Sequence, residues 1–355
     1  MNSIDQFLNN NCDTKATKDN YKSGLRLFFR TLNIDPDEYI KTKRDYDEDI
    51  MIFWRELQNY APMTRRARIS IVKQFLEENE INLSNKTKKK LRRKIKGTRA
   101  VTLDVIPTNQ ELKQILSHGE TKARALGLLA SSSGMRLNEI LQLTVDDIDF
   151  NHDPVKIYVR AETSKFEIAR IVFCSNEAAD AIKSWLKERS QYLNTAVARC
   201  GNLTGKSLDD DTIFCFTESN ANKIWSRLLK KSGFDQIDKT TGIYRMHFYV
   251  LRKFFETRMS YAGVQEAIYQ QLQGHTGYLN GSYKRFTEQE LGESYKKGVK
   301  SLLVFETQPD LTETNQEITK LQEESRMKDK QIQELEKKID EINQTMLLLL
   351  AKNQK

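Results

Sequence analysis

Cysteine is scarce in this chain of 355 residues: Cys12, Cys174, Cys200 and Cys215 lie far apart, with no CxxC pair and no histidine at ligand spacing. That scatter argues against a disulfide framework and against a zinc site, and fits a reducing compartment. Long hydrophobic runs are missing too. The apolar run MLLLL at 346–350 is far too short to span a bilayer, and the opening MNSIDQFLNN has no basic segment followed by an apolar core. Both absences predict a soluble, cytoplasmic protein with no membrane partner. Charge is mixed, with 57 Lys+Arg against 49 Asp+Glu and a formal net charge of +8, a basic lean that favours polyanionic partners.

What is present is mostly helical pattern. In TKDNYKSGLRLFFR, residues 17–30, Tyr21, Leu25, Phe28 and Phe29 fall on one side of a helix, and the same periodicity recurs in DIMIFWRELQN and TRRARISIVKQFLEEN. These segments predict a small all-helical domain over 1–97. Composition then shifts to the basic run KTKKKLRRKIKGTR at 86–99, and VTLDVIPTNQEL follows, with Pro107 and Thr108 turning into a new helix. The expected division is a linker over 98–107 and a second domain over 108–305. Within it, VKIYVRAE (155–162) and IARIVFC (168–174) flank the turn TSKFE and predict a β-hairpin in an otherwise helical domain. From Ile318 an a/d series runs through Leu321, Ser325, Lys328, Ile332, Leu335, Ile339, Ile342, Met346 and Leu349, which predicts a coiled coil over 314–352, within or between chains. The fold class expected is mainly α with a small antiparallel β-sheet.

Four stretches carry side chains suited to chemistry on a phosphate. In LLASSSGMRLNEILQLTVDDIDF, residues 128–150, an apolar helix ends at a glycine turn and Arg136 heads the next helix. There its planar fork and the neighbouring backbone N–H groups suit phosphate oxygens, although a simple pair with Glu139 is the plainer reading. Lys165 sits on the hairpin turn, where an ammonium can protonate a leaving oxygen, though most turn lysines face water. In YRMHFYVLRKFFETRM, residues 244–259, Val250, Leu251, Phe254 and Phe255 mark an inward face and leave His247, Tyr249, Arg252 and Lys253 around the helix start. In GHTGYLNGSYKRF, residues 274–286, Gly274 reads as a helix C-cap before His275, and Tyr283 lies beyond a glycine-broken loop. A phenol with a pKa of ~10 needs cationic neighbours and a base to attack at neutral pH.

The order of these stretches resembles the tyrosine recombinase, or phage integrase, family. An arginine follows a glycine turn, a lysine sits on a hairpin, an LR-bearing helix follows a histidine, and a GH precedes a tyrosine. SSGMRLNEIL, LRKFF and GHTGYL look closest to archaeal integrases. The resemblance implies a helical core-binding domain at 1–97, a catalytic domain, and a site-specific DNA recombinase acting through a 3′-phosphotyrosyl link. In it Arg136 and Arg252 would clamp the scissile phosphate, Lys165 would be the general acid, His275 would assist, and Tyr283 would be the nucleophile. No metal or other cofactor is implied. The family's histidine three residues before the second arginine is here Tyr249, so either Tyr249 takes that slot or His247 reaches into it; Tyr278 is a second candidate nucleophile. Partners implied are double-stranded DNA and a homo-tetramer on it, dimeric or monomeric when free, in a nucleoid-associated setting. EQELGESYKKGVKSLLVFE is a candidate for exchange between subunits. Candidate phosphate contacts are Arg65, Arg66, Arg68, Lys73, Lys88, Lys89, Lys90, Arg92 and Arg93. A type IB topoisomerase and a non-catalytic DNA-binding protein on the same scaffold are the rival readings.

Overall fold

The computed structural model describes residues 3–95, 102–165, 167–204, 206–275, 286–305 and 327–328, the side chains of 200–204 excepted. Tyr278, Tyr283 and the heptad segment 314–352, apart from Met327 and Lys328, lie outside the described residues. The chain divides into two compact units, one formed by 1–105 with 233–247, the other by 106–232 with 248–355.

In the first unit the aromatic periodicity of the sequence becomes a core. Helices α1 (Ser3–Asn11), α2 (Lys15–Leu32), α3 (Pro36–Lys41), α4 (Tyr46–Glu56), α5 (Pro62–Glu78) and α6 (Asn85–Lys94) enclose it. Thr14 caps α2 by accepting the Thr17 N–H, and Asn33 closes it in the left-handed region at φ 51°. Leu25, Phe28, Phe53, Leu57, Val72 and Phe75 are buried completely or nearly so, and Phe28 meets Tyr39 and Phe53 edge-on at centroid distances of 5.6 and 5.2 Å. The basic run is helical across its first part: Ser84 caps α6, Thr87 and Leu91 turn inward, and Lys89, Lys90, Arg92 and Arg93 point to solvent. The later residues of this unit form a small extended strip, in which the Val105 N–H donates to Arg245 O (2.9 Å) and the Arg245 N–H to Gln236 O (2.8 Å).

The second unit is built around α8 (Thr121–Ser133), which packs against α10 (Asn176–Thr204) and α12 (Val250–Tyr261). Helix α7 (Asn109–Ser117) starts where Pro107-Thr108 predicts, with a reciprocal capping box between Thr108 and Glu111. The sheet contains β1 (Ile148–Asp149), β2 (Val155–Val159) and β3 (Arg170–Cys174), antiparallel in that order, with Val155 opposite Cys174 and Val159 opposite Arg170. Both hairpin strands are shorter than their β-branched runs. The chain beyond Val159 leaves the ladder through a 3₁₀ turn at Ala161–Thr163, so RAE and IA belong to the connection rather than the strands. Helices α9 (Leu137–Leu141), α11 (Glu218–Ser232), α13 (Glu266–Gln273) and α14 (Glu288–Leu302) complete the unit. The segment considered for exchange is seated on its own unit here. The fully buried Tyr295 hydroxyl donates to Ser132 O (2.8 Å), Asn109 Nδ2 donates to Ser301 O and Leu303 O (2.8 and 2.7 Å), and Glu177 accepts the Val304 N–H (2.9 Å).

One glycine fixes where α8 stops. Gly134 caps the helix at φ 65°, and a Cβ there would stand 2.4 Å from Cδ1 of Phe255. Gly134→Ala therefore combines a strained backbone with overpacking and is expected to lower stability by about 2–4 kcal/mol, measurable by thermal or urea denaturation.

Candidate active site

The site grows out of the end of α13. A helix terminus leaves its last carbonyls without partners from a following turn, and it carries the negative end of the backbone dipole. Gly274, at φ 67°, ends α13 in the left-handed region, and the carbonyls of Leu272, Gln273 and Gly274 are exposed to whatever packs there. Among the described residues, three guanidinium groups do. Arg170, at the start of β3, donates from Nε to Leu272 O (3.0 Å). Arg252, in the first turns of α12, donates from Nη2 to Gln273 O (2.7 Å) and from Nη1 to Gly134 O (2.6 Å). Arg136, immediately before α9, donates from Nη1 to Gln273 O and from Nη2 to Gly274 O, both at 3.3 Å. Gln273 closes the set by donating its Nε2 hydrogen to Arg252 O (2.9 Å).

Among the described residues a single carboxylate balances this positive cluster. Glu139 is 2% exposed; it receives both Nη groups of Arg170 (3.0 and 2.7 Å), Nη1 of Arg136 (3.1 Å) and the Arg136 backbone N–H (2.9 Å). Burial alone would raise its carboxyl group's pKa, but the Arg170 bonds and the Arg136 field outweigh burial and hold it below the ordinary carboxylate range. Arg252 is pushed down to about 10 by its burial and by repulsion from Arg136, so it stays charged at neutral pH.

His275 follows the cap directly. Burial and the fields of Arg252, Arg136 and Arg170 depress its imidazole to about 4, and Nδ1 faces Oε1 of Gln270. With that oxygen assigned as an acceptor, Nδ1 carries the hydrogen and Nε2 is left with a lone pair. Because the folded value lies below the unfolded one, the unfolded chain takes up the proton first. The contribution to stability is thus complete above about pH 6.5 and is lost as pH falls toward about 4. An anion placed among the three guanidinium groups cancels part of their field, so bound phosphate or DNA should raise the His275 pKa; NMR titration of its Cε1–H with and without phosphate reads this directly.

The sequence-derived residues divide among several places. Arg136, Arg252 and His275 come together. Tyr249 stands one turn before Arg252, whose backbone N–H donates to Tyr249 O (3.2 Å), and the residue is 49% exposed. His247 belongs to the first unit, where Nε2 meets Asp104 Oδ1 at 3.1 Å. Lys165 is exposed in the connection between β2 and β3. Arg252 lies at the helix start, where the sequence places it, and is turned inward. It is 3% exposed, because two backbone carbonyls draw its fork inward.

Of the candidate phosphate contacts on the first unit, Arg66 is exposed, Lys73 and Lys88 are half-buried, and Arg65 lies over the Trp54 ring at 5.7 Å. Arg68 is turned onto α2, donating to Asn20 O and Ser23 Oγ at 3.0 Å each. Sequence reasoning did not select Arg170 or Gln273 and named Glu139 only as a partner for Arg136. A signal for Arg170 was available: it pairs across the sheet with Val159, which is completely buried, so a charge sits on an inward-facing strand position.

The described residues thus form a helical scaffold with a three-stranded sheet, in which arginines and a histidine converge on one helix end. Residues 107–278 match the model of the phage integrase family. The match ends before Tyr283. Tyrosine recombinase XerC of Chromobacterium violaceum is 27% identical over 181 residues, which cover 51% of this chain and 50% of that protein. The chain thus spans about half the length of the curated relative it matches. Among solved structures, a lambda integrase tetramer bound to a Holliday junction covers 80% of this chain and 79% of its own, with 13% identity and a TM-score of 0.54. A lambda integrase(75-356) dimer bound to a COC′ core site covers 81% and 97%, with 14% identity and a TM-score of 0.52. At these identities the likeness is one of fold. Among the described residues no helix is long and apolar enough to cross a membrane.

Proposed function

We propose that this protein is a site-specific DNA recombinase that cuts and rejoins strands through a covalent 3′-phosphotyrosyl intermediate on Tyr283. The observation that carries the reading is the convergence of Arg136, Arg252 and His275 on the end of α13 inside the range that matches the phage integrase family. In the proposed reaction the Tyr283 oxygen attacks the scissile phosphorus. The bond from phosphorus to the 5′ oxygen breaks, and Lys165 gives that oxygen a proton. The arginines stabilise the charge that grows on the equatorial oxygens, where preorganised donors are worth most. His275, neutral in the free protein, handles the proton of the attacking phenol or bonds a phosphate oxygen. Tyr249 takes the slot one turn before Arg252, since His247 is engaged with Asp104.

The exposed Arg66, Lys89, Lys90, Arg92 and Arg93 supply phosphate contacts on the first unit, and the assembly on DNA is a tetramer whose 314–352 segment adds a coiled-coil contact. The archaeal look of SSGMRLNEIL and GHTGYL belongs to the same proposal. The test is a duplex nicked beside the cleavage point, so that the released strand diffuses away. Accumulation of a denaturation-resistant protein–DNA adduct supports strand transfer. Binding without any adduct points instead to a DNA-binding protein on the same scaffold, and site-independent relaxation by a monomer points to a topoisomerase.

A further inference from the structure

We infer that Arg170 is a positioning residue that occupies Glu139 and so keeps the guanidinium of Arg136 available to a phosphate; this rests on the recombinase reading of the site. The competition for Glu139 is visible in the geometry. Arg170 takes both carboxylate oxygens in a fork at 3.0 and 2.7 Å, while the Arg136 side chain reaches only Oε1, at 3.1 Å. Two further Arg136 side-chain bonds, to Gln273 O and Gly274 O, are both 3.3 Å long and go to neutral acceptors. Charged phosphate oxygens are the stronger acceptors and would replace those bonds readily. A buried carboxylate has no such freedom: Glu139 is 1% exposed at its side chain, and without Arg170 its uncompensated charge would draw in the nearest cation. That cation is Arg136, whose side chain is 19% exposed and already touches it.

Arg170 is fixed for this task from two further directions. Its Nε holds Leu272 O, and its guanidinium lies where a Cβ on Gly274 would fall 2.9 Å from Cζ, so the α13 cap and the Arg170 fork are packed onto one another. Its side chain is 9% exposed, which leaves it no room to serve as a phosphate clamp while it spans Glu139. A lysine at this position keeps the charge but offers a point ammonium instead of a fork. One Glu139 oxygen would then be released to Arg136.

The experiment compares full-length wild type, Arg170→Lys, Arg170→Met and the double variant Glu139→Gln/Arg170→Met. Two readouts are used: the single-turnover rate of adduct formation on the nicked duplex, and the shift of the Arg136 Nε–H NMR signal on titration with inorganic phosphate. Arg170→Lys and Arg170→Met are expected to slow adduct formation by roughly 10- to 100-fold with little change in DNA affinity, the scale of losing one aligned donor. Neutralising Glu139 as well should restore most of the rate, because nothing is left to capture Arg136. Net charge alone predicts that Arg170→Lys behaves as wild type, and a purely structural role predicts that the double variant is no better than Arg170→Met; either result overturns the inference. If wild type gives no adduct, the recombinase reading fails, and the phosphate titration still decides the positioning role. A wild-type shift at Arg136 that is lost in Arg170→Lys and regained in the double variant supports it, and equal shifts in all four proteins refute it.

Discussion

Tyr283→Phe is expected to abolish adduct formation on the nicked duplex, by roughly 10⁴-fold or more, while Tyr278→Phe retains it. Removing the phenolic oxygen removes the atom through which the proposed link to phosphorus is made, whereas each cation only stabilises that step. An ordinary phenol with a pKa of ~10 is almost wholly protonated at neutral pH. In the proposed reaction, the cluster of Arg136, Arg170 and Arg252, held in one place by the α13 carbonyls, would supply the positive field that favours the phenolate as it forms. Loss of adduct in Tyr278→Phe, with retention in Tyr283→Phe, would reassign the nucleophile to the other tyrosine. DNA binding should be unchanged in both variants, because neither contributes a cation.

Arg252→Ala should have the second largest effect, and it should register in two measurements at once. Strand cleavage is expected to fall by about 10²- to 10³-fold, the scale of losing a preorganised charged donor. Stability is expected to fall by about 2–5 kcal/mol, because Gly134 O loses the Arg252 bond, Gln273 O keeps only the longer Arg136 bond, and a cavity opens beside α8. Arg252→Lys separates the two. It keeps a charge yet cannot span two carbonyls that sit on different elements, so it should recover part of the stability and little of the rate. Thermal denaturation alongside single-turnover cleavage distinguishes these outcomes. A Lys variant with wild-type rates would show that the fork geometry does not matter.

Much of the architecture was legible because it depends on local pattern. The spacing of Leu25, Phe28 and Phe29 announces α2 and its buried face, Pro107-Thr108 announces the start of α7, and Gly134 and Gly274 announce the ends of α8 and α13. Each rests on the helical period, on proline's restricted backbone or on glycine's freedom in the left-handed region, which operate over a few residues. The hairpin was legible in kind but not in extent, since β-branched residues also occupy its connection. At the site, Arg136, Arg252 and His275 stood out through their position beside helix ends, and the order of the four stretches tied them together.

The sequence by itself determined which side chains are on offer and where the elements that carry them begin and end. Only the tertiary structure decided that Arg252 is buried rather than outward, that Glu139 is divided unequally between two arginines, and that Arg170 belongs to the cluster at all. The physical reason lies in the separation of the partners along the chain. Arg170 and Glu139 lie 31 residues apart, and Arg136 and Gln273 lie 137 apart. What a guanidinium does there depends on which carbonyls and carboxylates folding places within 3 Å of it, and periodicity carries no information about that.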